Sequence, residues 1–236
     1  MTTALISQED FLTGQKKYER VKTAYKEKGE AVTALLKKES LNPDELNIIL
    51  IAYKGEQELE VFAKNKSDLQ YKKIQTYKIC ANSGQAGPKR KQGDGQVPEG
   101  FYYISQFNPV STFYLSLGVS YPNASDRKKS KAKNLGGDIF IHGNCVTIGC
   151  IPMTDEKIKE IYIYALQARH SGQAKIPVYI FPFRMTEKNM KEFKAYYKNK
   201  PELLSFWDNL KTGYEAFEKD KKELNVKIDS SGDYLF

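Results

Sequence analysis

One short stretch of the sequence gathers most of the residues that could perform covalent chemistry. Residues 136–155 contain one of the two histidines, His142, and two of the three cysteines, Cys145 and Cys150. A thiol attacks a carbonyl only after losing its proton, and a nearby imidazole can accept that proton. The spacing of His142 and Cys150 therefore suits a cysteine nucleophile with a histidine base.

The residues around this pair predict the elements that must position it. Residues 139–141 are typical of a short buried strand that ends at His142, next to a glycine. A second glycine-containing turn, at residues 147–149, immediately precedes Cys150. Thr154 is a good N-cap for a helix, because acidic residues follow it in what would be the first turn.

Sequence spacing alone leaves other readings of these residues open. A lone cysteine is more often a small buried apolar residue than a nucleophile, and a buried histidine can be purely structural. His142, Cys145 and Cys150 with one water would also match a known zinc pattern, although their spacing is not that of a zinc knuckle.

Patterning along the rest of the chain predicts an α+β fold. Several short strands separated by turn signals indicate a mainly antiparallel sheet or a small sandwich. Helical periodicity appears near both ends, and Gly29 and Gly213 could each interrupt a helix. The predicted helices cover residues 7–38, 154–170, 186–197 and 203–217; the predicted strands cover residues 46–53, 58–64, 71–81, 101–104, 112–117 and 178–183; and residues 219–236 are predicted to wrap on the surface or fray.

Composition narrows the class of protein. The chain has 236 residues, is 40% hydrophobic and carries a formal net charge of +8. No apolar run is long enough to span a membrane, and residues 1–7 lack the basic and apolar regions of a signal peptide. This net charge fits binding to nucleic acid, a membrane surface or an anionic polymer, or simply solvated helix faces. Two denser basic patches, at residues 89–91 and 127–133, lie in no recognisable nucleic-acid-binding motif.

The segment from His142 to Met153, His-Gly-x-Cys-x-Thr-x-Gly-Cys-x-x-Met, resembles the signature of YkuD-type L,D-transpeptidase catalytic domains, in particular their YafK-like branch. The resemblance covers about residues 46–217. It implies a mainly β YkuD-like core at residues 45–185, with an N-terminal helical segment at 1–44 and a C-terminal helical extension at 186–236. Further matching segments are Cys80, Gly87-Pro88-Lys89, residues 98–102, Tyr121-Pro122-Asn123, residues 181–186 and residues 206–214.

The family's activity implies a substrate and a reaction for this chain. Its cysteine attacks the third residue of a peptidoglycan stem peptide, usually diaminopimelate, and expels the D-alanine that follows. The acyl group then passes to an amine, forming a crosslink or attaching a protein, or to water. The resemblance implies a reaction without a metal or an organic cofactor and a substrate that is not a nucleic acid. It also implies that the protein acts in the periplasm or cell envelope.

Residue by residue, the resemblance assigns the nucleophile to Cys150 and the base to His142. The backbone N–H groups of Gly149 and Cys150 fall where an oxyanion hole is expected. Thr147 and Gly143 belong to the same motif and complete the expected catalytic set.

The chain departs from the wider family pattern, in which Ser-His-Gly-Cys is followed by an arginine two residues later. Here Ile148 replaces that histidine, and an apolar residue cannot hydrogen-bond to a substrate. Other residues must then bind the substrate's carboxylates, for which arginine is well suited. The candidates are Arg184, Arg127, Lys89 and Lys91, with Tyr121 and Asn123 from the matching segment.

Three hypotheses accompany this assignment. If the protein is exported, Cys80 and Cys145 form a disulfide that leaves Cys150 free; otherwise Cys145 is a buried thiol. The long loop at residues 82–100 acts as a lid. The rival functions are hydrolysis with water as acceptor and an inactive wall-binding module.

Overall fold

The computed structural model describes residues 8–236. Residues 1–7 lie outside this range. They include Ser7, where the predicted first helix begins, and the N-terminal stretch that was predicted not to be a signal peptide. Within residues 8–236, no helix combines the length and the apolar character that crossing a membrane requires. The helices are α1 (Gln8–Gln15), α2 (Glu19–Lys38), α3 (Ala124–Lys129), α4 (Asp155–His170), α5 (Glu187–Tyr196) and α6 (Pro201–Asp220). The strands are β1 (Leu46–Tyr53), β2 (Glu58–Asn65), β3 (Lys72–Lys78), β4 (Gly100–Asn108), β5 (Ser116–Val119), β6 (Phe140–His142), β7 (Ile151–Pro152), β8 (Pro177–Phe181), β9 (Lys227–Ile228) and β10 (Tyr234–Leu235).

Eight of the strands form one mixed sheet in the order β3-β2-β1-β8-β4-β5-β6-β7. The pairs β1·β8 and β6·β7 are parallel, and the other five pairs in the sheet are antiparallel. The α+β class and the mainly antiparallel sheet are therefore confirmed. The parallel β1·β8 pair joins strands that lie far apart in sequence, so local patterning could not predict it.

Helices cover the sheet from both sides, and each side has its own apolar core. One core joins residues of α1, α2 and α4 to one face of β1 and β2 and to β5 and β6. The other packs aromatic residues of α5 and α6, including Trp207, against the opposite face of β1, β2 and β8. Along β1 the side chains alternate, so that Leu50 lies in the first core and Ile51 in the second.

Both glycines that were expected to interrupt helices lie inside continuous ones. Gly29 is within α2, and the break in the N-terminal segment falls instead between Gln15 and Glu19. Gly213 is within α6, where a Cβ atom would lie 2.3 Å from the Phe236 ring and 2.6 Å from the Phe101 ring. A close ring contact therefore explains the glycine in α6.

Several other segments differ from their predicted bounds, and β4 extends to Asn108 instead of ending at residue 104. β5 begins only at Ser116, because a turn in which Tyr114 adopts a φ of 70° precedes it. β3 ends at Lys78, before Cys80. The C-terminal tail is ordered as the β9–β10 hairpin, in which the Tyr234 ring packs 4.9 Å from the Phe101 ring, so of the two predicted alternatives it wraps on the fold and does not fray.

Candidate active site

The parallel pair β6·β7 brings the two predicted catalytic residues onto one edge of the sheet. Its register pairs Ile141 with Ile151 and His142 with Pro152, and both isoleucines are buried in the first core. Cys150 immediately precedes β7, and its sulfur lies 3.5 Å from the carbonyl oxygen of Asp138, just before β6. The thiol therefore lies beside the strand that ends in the imidazole.

His142 is buried and held in one orientation. Its Nδ1 lies 2.5 Å from the carbonyl oxygen of Gly143, so Nδ1–H donates this bond and Nε2 remains free to accept a proton. The Phe113 ring packs against the imidazole with centroids 4.6 Å apart. Burial lowers the pKa of His142, and the bond to Gly143 opposes that effect. The ring is therefore a neutral base near pH 7.

Gly143 is required by the space around the histidine. A Cβ atom there would lie 2.6 Å from Asp155 Oδ1 and 2.9 Å from the carbonyl oxygen of Phe113. Asp155 begins α4, and its Oδ1 also accepts a bond of 2.9 Å from the backbone N–H of Asn144. The start of α4, capped by Thr154 as predicted, therefore fixes the loop that follows His142.

Cys150 is the only free cysteine of the chain. Burial raises the pKa of its thiol, and the charge of Asp138 raises it further, whereas a hydrogen bond from the Phe140 backbone and the charge of Lys89 lower it. The thiol donates to the Asp138 carbonyl and, among the described residues, has no hydrogen bond to the imidazole. In this resting arrangement the sulfur is protonated, and it needs a base to become a nucleophile.

The hydroxyl of Thr147 organises the backbone at the nucleophile. Its Oγ1 accepts bonds from the N–H groups of Gly149 (3.1 Å) and Cys150 (2.8 Å) and donates to the Cys150 carbonyl (2.9 Å). The two N–H groups that were predicted to form an oxyanion hole are thus both bonded to one oxygen atom of their own turn. In the resting state that oxygen belongs to Thr147.

Gly149 allows this turn to form. Its φ is +135°, a value that residues with a Cβ rarely adopt, and a Cβ there would lie 3.1 Å from the carbonyl oxygen of Gln96. Ile148, at the position of the missing histidine, is 89% exposed. The side chain two residues before Cys150 therefore offers an apolar surface and no hydrogen-bonding group.

The predicted disulfide between Cys80 and Cys145 is confirmed, with Cα atoms 5.5 Å apart. Cys145 lies on the loop that connects His142 to Cys150, so the bond ties this loop to the segment after β3. The backbone N–H of Cys80 also donates to the Pro152 carbonyl (3.0 Å). With its sulfur in a disulfide, Cys145 is not available as a zinc ligand, and the alternative zinc site loses one of its three residues.

The loop at residues 82–100 forms a packed wall next to the site. Lys54 Nζ donates to the carbonyl oxygens of Gly87 (2.8 Å) and Val97 (3.0 Å) and to Glu99 Oε1 (2.8 Å). Glu99 is fully buried and also accepts from Trp207 Nε1 at 2.9 Å. These buried bonds favour a fixed wall, although whether the loop opens as a lid stays a prediction.

One predicted substrate-binding residue, Lys89, lies on this loop, and a second, Tyr121, packs against it. Lys89 is buried, with Nζ 2.7 Å from Asp94 Oδ1, and its charge influences the pKa of Cys150. Tyr121 is buried behind it, with its hydroxyl 3.4 Å from the Lys89 carbonyl oxygen and 3.3 Å from that of Leu135. Lys89 is therefore the predicted cation that the fold brings towards the nucleophile.

The structure does not bring Asn123 and Arg127 to the thiol. Asn123 caps α3, accepting from the Asp126 N–H, and its Nδ2 donates to Phe101 O and Tyr234 Oη. Arg127 is exposed on α3. Asn123 thus has a structural task, as its position before a short helix would also indicate.

Arg184 lies on the other face of the sheet. Its Nη2 donates to Glu58 (2.6 Å) and Glu60 (2.8 Å), and its guanidinium stacks over the Tyr53 ring. None of these partners lines the pocket of about 20 Å³ beside Cys150. The prediction that Arg184 binds substrate relied on β8 ending near the site, but its charge is already neutralised by two carboxylates within the fold.

Three residues at the site were missed in the sequence. Asp138 adopts a φ of 56°, and its carbonyl oxygen accepts the hydrogen bond from the Cys150 thiol. Phe113 packs on the imidazole and Gln96 approaches Gly149, but both come from distant segments and leave no local signal. Only Asp138 had a detectable signal, because aspartate after Gly-Gly is typical of a turn with positive φ.

Comparisons with known proteins agree with this geometry. The family model described as "YkuD: L,D-transpeptidase catalytic domain" matches residues 47–180. The chain is 40% identical over 178 residues to YafK of Escherichia coli strain K12, whose own designation as an L,D-transpeptidase is provisional. That match covers 75% of this chain and 68% of YafK.

Solved structures give weaker matches. The helical cell shape determining protein Pgp2 of Campylobacter jejuni has a TM-score of 0.47 at 19% identity, covering 79% of this chain and 74% of that one. Bd1075 of Bdellovibrio bacteriovorus has a TM-score of 0.41 at 19% identity, covering 73% and 70%. The assignment rests on the sequence matches, and by them the chain belongs to the YkuD family of L,D-transpeptidase catalytic domains.

Proposed function

We propose that this protein is a cysteine-dependent acyltransferase of the cell envelope that acts on peptidoglycan stem peptides. Cys150 attacks the carbonyl between diaminopimelate and D-alanine, D-alanine leaves, and the acyl group passes from Cys150 to an amine. The convergence of the Gly149 and Cys150 N–H groups beside a free thiol is the observation that carries the proposal.

His142 is the base in this reaction. The neutral imidazole, with Nδ1–H bonded to the Gly143 carbonyl, accepts the thiol proton at Nε2 as the sulfur attacks. The resulting imidazolium then donates that proton to the departing amine of D-alanine. In the second half-reaction the imidazole removes a proton from the incoming amine, and the imidazolium returns it to the sulfur.

The carbonyl oxygen becomes an oxyanion during attack. Donors from Gly149 and Cys150 would stabilise it, at roughly 3 kcal/mol for one such donor. For the oxyanion to receive both bonds, the Thr147 hydroxyl must move aside or share them. Thr147 therefore acts as a positioning residue that holds the two N–H groups in place until substrate arrives.

Mass spectrometry of the products from disaccharide-tetrapeptide tests the proposal, with Cys150→Ala as the matched control. A crosslinked dimer formed by the parent protein, and absent with the control, is the expected result. Tripeptide and free D-alanine without a dimer would mean that water, and not an amine, accepts the acyl group, and that the protein is a carboxypeptidase. An unmodified substrate together with a thiol that no acylating probe labels would reject acyl transfer and leave the wall-binding module.

A further inference from the structure

The two basic patches of the sequence meet across a single groove. Residues 89–91 belong to the loop at residues 82–100, which we call the wall loop. Residues 127–133 begin on α3, more than thirty positions later. The Ser130 hydroxyl donates to the Arg90 carbonyl (2.6 Å), and the Gln92 N–H donates to the Asn134 carbonyl (3.0 Å). These bonds hold the two segments side by side, so that charges distant in sequence face the same space.

We name this space the basic groove and define it by two adjoining cavities of about 670 and 640 Å³. Both cavities are lined by Pro88, Arg90, Lys129, Lys131 and Glu202, and neither is lined by His142 or Cys150. The groove therefore lies apart from the catalytic pair. It is far larger than the pocket of about 20 Å³ beside the thiol.

The fold leaves part of the positive charge of the groove unpaired. Four cations line it, together with two carboxylates, Asp94 and Glu202. Arg90 is already paired with Asp126 (2.9 Å) and Lys129 with Asp233 (2.7 Å), so the charge left to a ligand belongs to Lys91 and Lys131. Asp94 is already bonded to Lys89 and to backbone N–H groups of its own loop. Lys91 forms no ion pair within residues 8–236, and Lys131 pairs with Glu202 only at 3.7 Å, with both side chains 91% exposed. Lys91 and Lys131 are therefore available to an anionic ligand.

The remaining lining suits a peptide chain with carboxylates. Gln85 and Ser205 add polar side chains to the lining of the groove. Phe206 is the sole aromatic residue in the two linings, and it is buried with the Arg90 guanidinium over its ring. Single-stranded nucleic acids are held by exposed aromatic side chains in addition to charge, and this groove has no exposed aromatic residue in its lining.

Gln96 connects the groove to the nucleophile. Its side chain lines the groove, and its carbonyl oxygen lies 3.1 Å from where a Cβ of Gly149 would be. Gln96 thus belongs both to the groove lining and to the surroundings of the turn that carries Cys150. A strand bound in the groove would be held directly beside the turn that carries Cys150.

We infer that the basic groove binds the carboxylates of a peptidoglycan stem peptide, holding the polymer next to Cys150 by contacts outside the catalytic site. This inference rests on the proposed function, since that function supplies the ligand. The shared chemistry is an anionic polymer, and the charge excess alone would also suit phosphate groups. The test therefore separates the two sources.

The test measures binding to purified, phosphate-free peptidoglycan sacculi by cosedimentation. All proteins carry Cys150→Ala, so no acyl-enzyme forms and binding is read without turnover. Lys91→Glu/Lys131→Glu should weaken binding about tenfold at low salt, because two attractive pairs become repulsive. The control Lys66→Glu/Lys198→Glu makes the same change of charge at exposed lysines outside the groove and should change binding less than about twofold.

Four outcomes would overturn the inference, and a fifth would overturn only the proposed function. Equal binding by the groove variant and its parent would show that the groove is not the binding site. An equal loss of binding in the groove variant and in the control variant would show that only the net charge of the protein matters. Sacculi with amidated carboxylates that bind as well as untreated ones, or polyphosphate that competes better than soluble stem peptide, would exclude carboxylates as the ligand. Groove-dependent binding by a protein that fails the product assay would reject acyl transfer but keep the groove.

Discussion

Replacing both Cys80 and Cys145 by serine should lower the free energy of unfolding by about 4 kcal/mol at 25 °C. The two residues are 65 positions apart, and the disulfide between them limits the conformations of the unfolded chain. The chain-entropy relation for a closed loop of this size gives about 4 kcal/mol. In a domain of this length the loss corresponds to a fall of roughly 8–16 °C in Tm.

Urea unfolding followed by circular dichroism would measure this loss. The parent should carry Cys150→Ser, so that no free thiol can exchange with the disulfide during unfolding. The variant should also have a larger dependence of the free energy on urea, because its unfolded state is less compact. Reducing the disulfide of the parent should reproduce the midpoint of the variant.

A loss below about 1 kcal/mol would refute the reasoning. It would mean either that the two cysteines are not linked or that the unfolded chain keeps residues 80 and 145 close without the bond. Peptide mapping under nonreducing conditions separates these two explanations. The same substitutions in a protein with Cys150 intact should slow acylation, since Cys145 anchors the loop that joins His142 to Cys150.

Three further results are expected. Thr147→Val should slow the acylation of Cys150 by up to about 100-fold in stopped-flow measurements, because the turn that presents the Gly149 and Cys150 N–H groups loses the hydroxyl that holds it in place, and Thr147→Ser should stay within about threefold. Asp138→Asn should raise the alkylation rate of Cys150 at pH 7.5 about threefold, because removing the negative charge lowers the pKa of the thiol and increases the thiolate fraction; a slower rate would contradict this. Gly213→Ala should destabilise α6 by about 1–3 kcal/mol in thermal unfolding despite the higher helix propensity of alanine, because its Cβ meets the Phe101 and Phe236 rings. Gly29→Ala, where the nearest atom is 3.6 Å away, should instead stabilise α2 by roughly 1 kcal/mol, and equal effects at the two glycines would contradict the packing argument.

Local patterns sufficed wherever a single element determines the structure. β1 has the predicted bounds because a short continuous apolar run rich in β-branched residues is typical of a buried strand. α4 begins after Thr154 because the N-cap and the N–H group that it binds lie within four consecutive residues. The catalytic turn was also predictable, since Thr147, Gly149 and Cys150 are neighbours in sequence.

Register and long-range packing were not predictable in this way. Arg184 follows a strand as expected, but the pairing of β8 with β1 and the alternation of β2 place it beside Glu58 and Glu60 instead of at the thiol. The two basic patches were visible in the sequence, yet nothing local indicates that Arg90 and Lys131 line the same groove. One sequence contains no record of which distant segments meet.

The three partners of Glu99 bear on how this protein could be recombined or trimmed. Lys54 and the Gly87 N–H lie inside the segment that the family model matches, residues 47–180, whereas the third partner, the Trp207 indole, lies beyond it. A fragment that ends at residue 180 would leave the buried Glu99 carboxylate without one of its hydrogen bonds, which would cost about 1–3 kcal/mol of stability. It would also expose the side of the wall loop that packs against α6. The smallest unit that can be grafted or inherited intact therefore extends into α6, past the border that family matching draws.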